Sequence, residues 1–156
     1  MSLVNAGVYV VHLLVAALWT GSVLFVAYAV LPLGKNGDLN AAPLDALAGK
    51  LTTVSRASAL LLFLTGGHMA AYAYTVESLT GSPRGHLVLG MLVLWFVLAG
   101  LVEVGASKIT DGTNQDKVRE PARNASPFLQ AGAVVALLLL VDAGLLVVSG
   151  MGIFVL

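Results

Sequence analysis

Of the 156 residues, 58% are hydrophobic and only 10% charged, and eight Lys plus Arg balance eight Asp plus Glu. A soluble domain carries about 25% charged residues, so a mean hydropathy of +0.94 excludes a water-facing enzyme surface or a disordered chain. Zero net charge offers no field to a polyanion, which excludes nucleic acid as a partner. Without any Cys there are no disulfides, thiolate metal sites or redox dithiols. The composition is that of a one-domain integral membrane protein.

The first apolar run, residues 3–33, contains no charged side chain and exceeds the ~20 residues needed to cross a hydrocarbon core. It lacks the basic leader and short apolar core of a secretory signal, so it reads as a retained helix. The second run covers 51–76 and follows an amphipathic approach at 45–50. The third covers 83–104 and the fourth 127–156. Pro43, Ser82-Pro83 and Ser126-Pro127 punctuate three of the starts, because Pro in the first turn loses no hydrogen bond and Ser caps the following amides. The segment 105–126 holds most of the remaining charge and reads as the one substantial loop.

Four spans put both ends of the chain on one side of the bilayer. Lys35, Lys50, Lys108, Lys117, Arg119 and Arg123 lie in the first and third connections, against Arg84 alone on the other side. The positive-inside rule then predicts a plasma-membrane protein with its termini outside and segment 105–126 in the cytoplasm. On this topology the acceptor-like Asn124-Ala125-Ser126 carries no meaning for glycosylation. The predicted fold is all-α, an antiparallel four-helix bundle with lipid as its solvent.

Polar groups in hydrocarbon must be satisfied by protein, so they point to sites. Here they are His12, His68, His86, Arg56, Glu103 and Asp142, with Asn5, Trp19, Tyr72 and Tyr74 as milder members. At the helical rise His12 lies ~13 Å, His68 ~12 Å and His86 ~5 Å in from the outer surface. Asn5, His12 and Trp19 recur every seven residues and share a helix face, forming either a polar seam between helices or part of a ligand site. His68 sits in Thr65-Gly66-Gly67-His68-Met69-Ala70-Ala71, where small residues admit a neighbouring helix or a flat ligand. His86 reads as an interfacial residue or a third ligand, and Met91 as packing or a soft donor. Asp142 interrupts an apolar helix at a cost of ~2.5–3.5 kcal/mol, which a cation, a histidine or a hydrogen-bonded neighbour must offset. Arg56 and Glu103 read as an ion pair or as snorkelling side chains, with Arg56 also able to meet a propionate.

Two imidazoles at equal depth on adjacent helices are what a six-coordinate haem b requires. This makes His12 and His68 the expected axial ligands, with His86, Arg56, Trp19 and Tyr72 beside the macrocycle. The function predicted first is electron transfer, enzymatic if it is that of a haem oxidoreductase, between a membrane donor such as quinone and an outer-side redox protein. Copper is the alternative cargo, held by His12, His68 and His86 with Met69 and Met91, since it accepts imidazole and thioether donors; Asp142 is the further metal candidate, as a carboxylate that would help the imidazoles hold zinc. A third reading is a non-catalytic subunit that docks a partner through 105–126. Small residues at 131–133 suit either a homo-oligomer contact or packing within the bundle.

Helix one carries His12-Leu13-Leu14, Trp19 and Gly21-Ser22; helix two carries Val54-Ser55-Arg56 and Leu64-Thr65-Gly66; helix three opens Pro83-Arg84-Gly85-His86-Leu87-Val88-Leu89. This pattern resembles the copper-resistance D (CopD) family of membrane proteins, which would imply copper uptake or handling at the cytoplasmic membrane. It is similar, more weakly, to HemJ-type protoporphyrinogen oxidases, which would imply haem b. The third-helix Lys of both families is missing, with Gly90 and Met91 in that region, a departure that counts against the oxidase activity.

Overall fold

A computed structural model describes residues 2–150 of the chain. Its elements are α1 (Leu3–Phe25), a π-helical turn (Val26–Val30), α2 (Leu31–Asn36), α3 (Ala41–Ala73), α4 (Val76–Gly81), α5 (Pro83–Thr113) and α6 (Arg119–Gly150), with no strand among the described residues. The first three run on as one helix, Leu3–Asn36, and this helix, α3, α5 and α6 are each long and apolar enough to span a bilayer. The protein is thus a multi-pass, all-α four-helix bundle. The π turn has a local cause in Pro32, which has no N–H and whose ring crowds the carbonyl four residues back. The ladder widens just before it, with the Leu31 N–H reaching back five residues to Val26.

Each long helix packs against two antiparallel neighbours: α1 against α3 and α6, and α5 against α3 and α6. The bundle therefore has a terminal end, where α1 begins and α6 finishes, and a loop end. Its loop-end half is solid. Trp19, Val23, Leu31, Leu44, Leu98, Ile109 and Leu129 are almost wholly buried there. Small residues let α5 and α6 meet closely, since a Cβ on Gly105 would stand 2.6 Å from Leu129 Cγ.

The helices outrun the apolar stretches that mark them in the sequence. α3 begins at Ala41, so Pro43 lies inside its first turn. α6 begins at Arg119, which leaves Pro127 inside the helix and not at its start. The expected loop 105–126 is mostly helix, and only residues 114–118 break the ladder. The physical reason is that hydropathy records where lipid ends, while a helix continues until its backbone is capped. Here the ends are tied to one another: the Thr113 hydroxyl donates to Asp45 Oδ1 at 2.8 Å, and Arg119 Nε donates to the Asn36 carbonyl at 3.1 Å. Ser82-Pro83 does start a helix, with Ser82 Oγ accepting from the Gly85 N–H at 3.0 Å and Pro83 in the first turn. The last part of the fourth predicted span, 151–156, lies outside the described residues.

Gly105→Val should overpack the α5–α6 contact and cost about 1–3 kcal/mol, lowering the thermal midpoint in detergent. Gly7→Ala, at a position with open space around it, should leave that midpoint close to wild type.

Candidate intramembrane site

α1 and α3 are joined by three polar rungs. Asn5 Oδ1 accepts from His68 Nε2–H at 3.2 Å, His12 meets Thr65 Oγ1 at 2.7 Å, and Trp19 Nε1 donates to Ser55 Oγ at 2.9 Å. The heptad spacing on α1 thus produces a seam, with its three α1 residues roughly 10 Å apart along that helix. Trp19 is its buried anchor, at 1% exposure, and belongs to the core.

The middle rung sets the chemistry of His12. The Thr65 hydroxyl donates to the Leu61 carbonyl at 2.7 Å, so its one proton is committed. With that bond made, the same oxygen accepts from His12 in the tautomer that carries its proton on Nδ1 and its lone pair on Nε2. The ring lies against bare backbone, because a Cβ on Gly66 would stand 3.2 Å from His12 Cε1. His12 Nε2 has no hydrogen-bond partner among the described residues.

Close contacts along α6 place a second group at this level. Gly150 lies beside Arg84, Gly105 against Leu129 and Gly112 against Pro121, a register that sets Asp142 level with Met91 of α5. Gly132 lies against Val23 of α1. Counting from there toward the terminal end, Asp142 is ~15 Å along α6 and His12 ~16 Å along α1. His12, Met91 and Asp142 therefore share one layer. Asp142 is buried, at 8% exposure, and neither carboxyl oxygen has a hydrogen-bond partner among the described residues. Packing is also looser here: His12, Thr65, Gly66, Met69 and Met91 are half-buried, in contrast to the solid loop-end half.

The other candidates lie elsewhere. His68 is exposed and sits one turn closer to the terminal end than Thr65, bonded to Asn5. His86 is exposed and its Nε2–H donates to the Thr80 carbonyl at 2.7 Å, tying α5 to the last turn of α4. Tyr72 is 71% exposed. Arg56 pairs with Glu103 through two hydrogen bonds on the lipid-facing side of α3 and α5. Gly132 and Ala133 are buried inside the bundle, so these two small residues serve its own packing. Among the described residues no three His, Asp or Glu side chains gather closely enough to hold a metal by themselves. The layer instead offers one imidazole, one thioether and one carboxyl. Ser55 and Thr65 were the partners missed as such in the sequence, although their polar side chains on α3 were the available signal.

No family of known proteins, no curated protein and no solved structure matches the chain.

A double-mutant cycle on Trp19→Phe and Ser55→Ala should give a coupling of about 0.6 kcal/mol, the usual size for a hydrogen bond between membrane helices. Asp142→Leu should stabilise the metal-free protein by about 1–3 kcal/mol, because it removes an unsatisfied buried carboxyl. Both are read from unfolding in detergent.

Proposed function

We propose that this chain handles copper in the plasma membrane, with its terminal end outside and with His12 Nε2, the Met91 thioether and the Asp142 carboxylate receiving the ion as cargo. The observation that carries this reading is the buried, unpartnered carboxyl of Asp142 in the layer of an imidazole whose Nε2 has no hydrogen-bond partner among the described residues. A carboxyl left bare in the bundle interior is a deficit that a cation fills, and nitrogen with thioether sulfur is a donor set that suits copper. Thr65 is the positioning residue, since its hydroxyl holds the His12 tautomer and ring angle. His68 stands one turn nearer the terminal surface, on the way in from that side. The resemblance of helices one to three to CopD-family proteins supports the same cargo.

Haem b asks more of the seam. Two axial imidazoles must face each other across a macrocycle, whereas His12 rests on Gly66 and His68 is bonded to Asn5, with α1 and α3 in contact. Copper asks only that an imidazole, a thioether and a carboxyl at one level of the bundle converge on the ion.

The test is copper binding by the purified protein, titrated against a chromophoric chelator, together with an oxidised and reduced visible spectrum. The expected result is one copper per chain and no Soret band. Binding should be lost in His12→Ala and Asp142→Asn, and weakened about ten- to hundredfold in Thr65→Val, as for a residue that orients a metal ligand. It should be unchanged in His86→Ala. A Soret band with split reduced bands, or copper binding indifferent to His12 and Asp142, overturns the proposal.

A further inference from the structure

The lipid-facing side of α3 and α5 carries a second feature, independent of the layer just described. A groove of about 470 Å³ opens to the bilayer between Arg56, Ala59, Leu60 and Phe63 on α3 and Trp95 and Phe96 on α5. Its walls are ordered by their own contacts. Trp95 Nε1 donates to the Ala59 carbonyl at 3.2 Å; its ring lies 5.7 Å from Phe63 at an interplanar angle of 36° and meets Phe96 edge-on at 4.5 Å. Three aromatic rings held in this way form a surface on which a flat ring can stack.

One end of the groove is polar. Arg56 spends Nε and one terminal nitrogen on Glu103, which leaves guanidinium N–H groups free, and its side chain is 69% exposed. Because Glu103 cancels the charge, the free donors suit a neutral acceptor better than an anion. A ligand that matches all of these features has a neutral carbonyl head, a flat conjugated ring and a long apolar tail.

We propose that the α3–α5 groove binds an isoprenoid quinone, its carbonyl oxygen accepting from Arg56 and its ring packed against Trp95 and Phe63. The ion pair makes Arg56 a donor without net charge, and the tail leaves along Leu60 and Phe63 into lipid.

Trp95 supplies the readout. The full-length protein in detergent is titrated with decylubiquinone while tryptophan emission is followed. The expected result is saturable quenching that disappears in Trp95→Phe, where only Trp19 still emits. The paired variant Arg56→Gln with Glu103→Gln, which leaves no lone charge, should raise the apparent dissociation constant about tenfold, as should Phe63→Ala. Leu60→Trp leaves the ion pair intact and fills the groove, so added quinone should then produce no saturable quenching. Linear quenching of equal size in all variants, saturable quenching that survives Trp95→Phe, or displacement of the quinone by phosphatidylglycerol at equal concentration overturns the proposal.

Discussion

Around the hydrogen bond between His12 and Thr65 two requirements meet. Inside a bilayer every polar group must find its partner within the protein, and the Thr65 hydroxyl has already given its proton to Leu61. With that bond made the imidazole donates through Nδ1, and its other nitrogen has no hydrogen-bond partner among the described residues. The same bond holds α1 on α3 at Gly66, where the missing side chain lets the ring approach the backbone. A packing contact and a chemical preparation are thus one interaction.

The bundle divides into halves that follow from this arrangement. Toward the loop end, Trp19, Leu98, Ile109 and Leu129 fill the interior completely, and helix ends are tied to one another by Thr113, Asp45 and Arg119. Toward the terminal end the same interior faces carry His12, Gly66, Met91 and Asp142, with less burial. Most of the packing stability therefore resides in the loop-end half, which allows the other half to keep an unsatisfied carboxyl. Proteins commonly retain such local instability where they bind something.

Much of the fold was legible because hydrocarbon imposes a simple demand on composition. Four apolar runs announced four spans, and Ser82-Pro83 announced a helix start that the backbone confirms. Helix ends were less legible: Pro127 and the charged residues of 105–113 and 119–126 look like loop in hydropathy, yet they lie on helices that project beyond the apolar zone. The expected pairing of Arg56 with Glu103 is present. The heptad Asn5, His12 and Trp19 correctly marked one face, but not which side chains would answer it. Ser55 and Thr65 are common in membrane helices, and nothing local distinguishes a hydroxyl that bonds across an interface from one that bonds its own backbone.

By itself, then, the sequence determined the solvent of this protein, the number of its spans and the identity of the polar groups that must be accommodated, because these depend on transfer free energy summed along the chain. Only the tertiary structure decided which of those groups meet. Register between antiparallel helices is set by contacts such as Gly105 with Leu129 and Gly132 with Val23, and a shift of one turn, ~5.4 Å, would separate Asp142 from the level of His12. It also set His86 apart on the α4–α5 hairpin, bonded to Thr80, although its depth in the sequence had grouped it with the other two histidines. Depth is a property of one helix, whereas a site is a property of several, and the packing between them is what turns the first into the second.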